Sequence, residues 1–79
     1  MIVHLSKTRR VTVSTYDAAS AAIRKAWGNR GAQAFYGDPY AGLIFSGTNS
    51  ATPRAHVSFN GRVWEGGDRF FDGAKEIAR

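Results

Sequence analysis

The sequence predicts an α+β fold: a small antiparallel β-sheet with two helices packed on one face, in the order β-β-α-β-β-β-β-α. Three observations carry this. Apolar residues recur at helical spacing between Ala19 and Trp27, an Asn60-Gly61 pair separates two β-rich runs, and residues 10–14 alternate with period two.

Met1 to Leu5 reads as a short strand, and the polar, basic Ser6 to Arg9 as a loop. Val11 and Val13 alternate with Arg10, Thr12 and Ser14, the pattern of a half-buried strand. The two strands are expected to form a hairpin with Lys7 and Arg9 at its tip. Thr15 or Asp17 then caps a helix, since both side chains satisfy free N–H groups at a helix start. Ala19, Ala22, Ile23, Ala26 and Trp27 form its apolar face, with Arg24 and Lys25 on the other side. Gly28, Asn29 and Gly31 supply the stop.

Ala32 to Tyr36 is a candidate strand, followed by the turn residues Gly37, Asp38 and Pro39. Leu43 to Phe45 is a second apolar run, and Gly47 to Pro53 reads as an exposed loop. A two-residue type I′ turn at Asn60-Gly61 would pair Phe59 with Arg62, Ser58 with Val63, Val57 with Trp64 and His56 with Glu65. Asp68 to Ile77 reads as a final short helix, with acids early and bases late, although Gly73 weakens it.

The chain has 79 residues and no repeat or linker, so one compact domain, 1–79, is expected. A domain this small buries only about 60% of its unfolded surface, so its core is thin. No cysteine is present, which excludes disulfides, thiolate metal sites and thiol chemistry. The first twenty residues hold no apolar run of signal-peptide length, because His4, Lys7, Arg9 and Arg10 interrupt it. An intracellular, non-membrane setting is therefore expected.

The net charge of +5 is unevenly placed. Residues 1–37 carry Lys7, Arg9, Arg10, Arg24, Lys25 and Arg30 against Asp17 alone, while the remainder is balanced. Such asymmetry points to an anionic partner, either nucleic acid or an acidic protein surface. The segment from Phe35 to Tyr40 concentrates aromatic residues at a turn, and tyrosines suit interfaces. The partner-binding set read from the sequence is Lys7, Arg9, Arg10, Arg24, Tyr36 and Tyr40.

For chemistry, His56 and Glu65 are the best pair. A cross-strand histidine and carboxylate can do general acid–base work, with Arg54 or Arg62 nearby to hold a phosphate, as in a small ribonuclease or toxin. The bland alternative is ordinary cross-strand pairing of opposite charges. His4 and His56 lack metal-motif spacing, and there is no phosphate-binding loop, dinucleotide fingerprint or nucleophile elbow. No catalytic residue, metal or cofactor is expected.

Short length, absence of cysteine, compact α+β order and lack of a catalytic signature together resemble the small anti-CRISPR proteins of phages and mobile elements. The likeness spans the whole chain as a layout and carries no motif, so it assigns no residue. It implies a non-enzymatic inhibitor in the cytoplasm of a bacterial host, binding protein subunits of a CRISPR effector complex and blocking target DNA binding or nuclease recruitment. The basic charge departs from the acidic DNA mimics in that group. A basic nucleic-acid-binding module is the competing expectation, and homodimerisation through an edge strand or through Tyr36 and Tyr40 is compatible with so thin a core.

Overall fold

The fold follows from burying one face of a sheet beneath one amphipathic helix. A computed structural model describes residues 1–48 and 51–78. The elements run β1 (Ile2–His4), β2 (Arg10–Thr12), α1 (Tyr16–Trp27), α2 (Ala32–Gly37), β3 (Leu43–Phe45), β4 (Ala55–Val57), β5 (Val63–Glu65) and β6 (Glu76–Ile77). The six strands form one antiparallel sheet in the order β2-β1-β3-β4-β5-β6. The α+β class with two helices is as the sequence predicts, but two segments exchange roles.

The first hairpin and α1 form where expected. Thr15 caps α1, its Oγ1 accepting from the Ala18 N–H at 3.0 Å. Ala19, Ile23 and Trp27 are buried on one face of the helix. They meet Val3, Ile44, Ala55, Val57 and Val63 from the sheet, and Phe35 from α2 joins the same core. Alternate residues of each strand therefore point towards α1. The others, including His4, Leu43, Phe45, His56 and Trp64, point to the opposite face.

Ala32 to Tyr36 is a helix rather than a strand. Gly31, at φ 85°, turns the chain sharply, and the alanines that follow are strong helix formers. Only Phe35 needs full burial, and one helical turn achieves this while leaving residues 32–34 exposed.

Asp68 to Ile77, expected as a helix, is a run of turns ending in β6. The Asp68 side chain accepts from the Phe70 N–H at 3.0 Å, and its carbonyl accepts from the Phe71 N–H at 3.3 Å. Aspartate that bonds its own neighbouring backbone competes with helix, and Gly73 adds roughly 1 kcal/mol against it. Pairing Ile77 beside Val63 extends the sheet and half-buries the isoleucine against the core.

The Asn60-Gly61 hairpin forms with a register one residue away from the expected one. Ser58 N–H donates to the Arg62 carbonyl at 2.8 Å, and Gly61 N–H donates to the Ser58 carbonyl at 2.9 Å. Among the described residues only glycines have positive φ, Gly61 at 90° among them, so this is a three-residue loop closed by a glycine bulge. Val57 then faces Val63, and His56 faces Trp64. Helix α1 holds this tip, with Ser20 Oγ donating to the Gly61 carbonyl at 2.6 Å. The expected loop from Gly47 to Pro53 lies partly outside the described residues; Gly47, Thr48 and Ala51 are exposed.

Candidate functional site

Two places on the molecule gather chemistry-bearing side chains. The first is the free edge of the sheet at β2. Reciprocal backbone hydrogen bonds join Met1 and Val13, at 2.9 and 2.8 Å, and Leu5 N–H donates to the Arg9 carbonyl at 2.8 Å. In an antiparallel ladder the bonded pairs alternate, so odd-numbered residues of β2 bond β1, and Arg10 and Thr12 turn their N–H and C=O groups outward.

The side chains of this edge divide between the two faces. Arg9, Val11, Lys25, Leu5, Ala22 and Ala26 line a notch of about 410 Å³ between the edge and α1. Its floor is apolar and its two cations stand at the rim. Arg10 lies on the opposite face, opposite His4, whose ring centroid is 5.4 Å from that of Tyr40. Lys7 is exposed in the loop between β1 and β2.

A carboxylate beside this corner, Asp38, is already committed. Asp38 accepts from the backbone N–H groups of Lys7 at 3.1 Å, Tyr40 at 2.9 Å and Ala41 at 3.1 Å. Partial burial pushes its carboxyl up, but these three N–H groups and the Arg69 guanidinium outweigh that and hold it below its ordinary value. No ion pair neutralises Lys7, Arg9, Arg10 or Lys25 among the described residues; the one ion pair found there joins Arg62 to Glu76 at 3.7 Å.

The structure brings together only part of the residue set read from the sequence. Lys7, Arg9, Arg10 and Tyr40 share the β1–β2 corner. Arg24 lies elsewhere, its Nη1 donating to the Asn60 carbonyl at 2.9 Å, so it braces the β4–β5 hairpin. Tyr36 also points away from the corner. Its hydroxyl accepts from the Phe59 N–H at 3.2 Å, and its ring packs between those of Phe35 and Phe70. Lys25 is the cation that replaces Arg24 at the corner.

The second place is an open depression of about 420 Å³ on the face opposite α1. His56, Ser58, Trp64, Arg69, Phe70 and Phe71 contribute to its wall. His56 is 4% exposed, and its Nδ1 lies 2.7 Å from the Gly66 carbonyl. A carbonyl only accepts, so Nδ1 is the donor in this contact. Ser58 Oγ donates to Asn60 Oδ1 at 2.5 Å and accepts from Trp64 Nε1 at 3.3 Å.

The expected pairing of His56 with Glu65 does not assemble. The one-residue shift places Trp64 opposite His56, while Glu65 faces Ala55 on the α1 side. Arg62 pairs with Glu76, and Arg54 lies over Tyr16 with its Cζ 5.8 Å from the ring centroid. The arginine in the depression is Arg69, which the sequence reading placed in a helix. Its Nη1 donates to the Ala41 carbonyl at 2.8 Å. Burial pushes the guanidinium below its ordinary value, and Asp38 and Tyr36 oppose this.

Among the described residues no three histidine, aspartate or glutamate side chains come together as metal ligands, and no helix is long and apolar enough to cross a membrane. Comparisons with protein families, curated proteins and solved structures find no match to this chain.

Proposed function

We propose that this protein is a non-enzymatic binding protein that docks through its β1–β2 corner onto an acidic surface of a protein partner. The observation that carries the reading is the cluster of Lys7, Arg9, Arg10 and Lys25, all exposed and none neutralised by a described carboxylate. Charges left unpaired on a small domain cost self-repulsion, and they speed and orient encounter with an oppositely charged partner.

The narrower reading is an inhibitor that binds protein subunits of a CRISPR effector complex and blocks target DNA binding or nuclease recruitment. It is supported by the likeness in layout to small anti-CRISPR proteins and by the charge, which suits covering an acidic subunit surface rather than imitating DNA. The test is target-DNA binding by purified effector complexes of type I and type II in the presence of the protein. Inhibition by the wild type, relieved by Arg9→Glu with Arg10→Glu, is expected. Equal DNA binding with and without the wild type across both types would overturn the narrower reading.

The same cations also fit a nucleic-acid-binding module. Phosphate contacts release counterions, so that reading requires DNA or RNA affinity that falls steeply and linearly in log–log salt. Absence of binding to either nucleic acid near physiological salt leaves the protein-surface reading in place.

A further inference from the structure

We infer that the corner captures its partner by strand addition: an extended acidic segment pairs with the free edge of β2 and seats an apolar side chain in the notch beside Val11. This rests on the reading of the corner as a protein-docking surface, and it names the form the partner takes.

The edge supplies three things such a segment needs. First, the outward N–H and C=O groups of Arg10 and Thr12 have no partner in the sheet, so a strand laid alongside continues the ladder. Second, alternation assigns side chains of the added strand to the two faces. Those on the α1 side meet Arg9, Val11 and the apolar floor of Leu5, Ala22 and Ala26. Those on the other side meet Arg10 and Thr12. Third, the rim cations Arg9 and Lys25 flank that floor, and Arg10 and Lys7 extend the positive field along the edge. An apolar residue opposite Val11, with carboxylates opposite Arg9 and Arg10, meets every one of these features.

A second copy of this chain meets them badly. Pairing β2 with itself brings Lys7, Arg9 and Arg10 of both copies onto one seam, and like charges there oppose association. Charged edge strands keep copies of a protein apart for this reason. The same charges select an acidic strand.

The test uses the intact protein, isotope-labelled, and the acetylated, amidated peptide Glu-Val-Thr-Val-Glu-Glu as the probe. Its antiparallel register sets the second valine opposite Val11 and the last two glutamates opposite Arg10 and Arg9. Addition of the peptide is expected to shift the Arg10 and Thr12 amide protons downfield and slow their exchange several-fold. A peptide N-methylated at alternate backbone positions should bind at least tenfold more weakly. Thr12→Pro removes an outward N–H while leaving every bond to β1 in place, and it should weaken binding to the same extent.

Failure of this inference is separable from failure of the docking surface. If Arg9→Glu with Arg10→Glu abolishes binding but Thr12→Pro and N-methylation do not, the corner binds by charge and strand addition is wrong. If the peptide does not bind at millimolar concentration, strand addition is wrong whatever the variants do. Shifts at Arg10 and Thr12 produced by a single-stranded oligonucleotide but not by the peptide would reassign the edge to nucleic acid. A doubling of solution mass without any peptide would reassign it to a second copy.

Discussion

Trp27 Nε1 donates to the Leu5 carbonyl at 2.6 Å, a buried bond that ties the last turn of α1 to the loop end of the β1–β2 hairpin. The indole is 3% exposed, meets Phe35 edge-on with centroids 5.5 Å apart, and is covered by Arg30, whose Cζ lies 4.0 Å from the ring centroid. The position of the basic corner relative to the helix depends on this anchor. Trp27→Phe keeps an aromatic ring but leaves the Leu5 carbonyl without its donor, at a cost of about 1–3 kcal/mol. Urea unfolding should show a lower midpoint for the variant at an unchanged slope, and equal midpoints would contradict the role assigned to the bond.

Gly42 makes a second joint, where the chain enters β3. Its N–H donates to the His4 carbonyl at 2.9 Å, and its carbonyl accepts from the Val57 N–H at 2.8 Å. It sits at φ 90°, and a Cβ there would lie 2.4 Å from the Val57 carbonyl oxygen and 3.0 Å from Phe35 Cζ. Backbone strain and a clash with fixed backbone act together, so Gly42→Ala should lose roughly 2–4 kcal/mol. Thermal unfolding of the variant checks this. A loss of only a few tenths would mean that β3 and β4 can separate to admit a methyl group.

These joints mark the limit of what the sequence reveals. Strand β2 and helix α1 are local objects: the alternation around Val11, the Thr15 cap and the spacing from Ala19 to Trp27 specify them without reference to the rest of the chain. Phe35 and Ile77 are different. Each is placed by what lies across the core, Trp27 and Phe59 in one case and Val63 in the other, and no local pattern holds that information. The Asn60-Gly61 turn was legible as a turn, but its loop length was not. The one residue of difference moved Glu65 to the face opposite His56 and dissolved the expected pair. Lys7, Arg9 and Arg10 were legible as a cluster because they are adjacent in sequence. Lys25 joins them only because α1 packs beside β2, whereas Arg24, its neighbour, turns towards Asn60.

Asp38 gives the fold a defined acid sensitivity. Its carboxyl is held below the ordinary value of 3.8 by N–H donors and Arg69, against the opposing effect of burial. The unfolded chain therefore takes up this proton more readily than the folded one. The stabilisation is complete above 3.8 and is lost as pH falls through the lower folded-state value. Wild type should exceed Asp38→Asn in stability at neutral pH, and the gap should close in strong acid. A gap independent of pH would assign the effect to hydrogen bonding by the neutral side chain rather than to charge.

Arg24 and Arg9 separate bracing from binding. Both are exposed arginines in the basic half, and the sequence placed both in one contact set. The Arg24 guanidinium holds the Asn60 carbonyl, so Arg24→Ala should cost about 0.5–1 kcal/mol of stability through that one hydrogen bond. Affinity for an acidic partner should stay within about twofold, because Arg24 stands away from the β2 edge. Arg9→Glu has the converse signature. Its side chain lies at the rim of the notch with no described ion partner, so stability should change by no more than about 0.5 kcal/mol while affinity falls roughly tenfold or more. Calorimetric titration with the acidic peptide, paired with urea unfolding of each variant, measures both quantities. If Arg24→Ala weakens binding as strongly as Arg9→Glu, the contact surface continues across α1 to the β4–β5 tip, and the β2 edge is only one part of it.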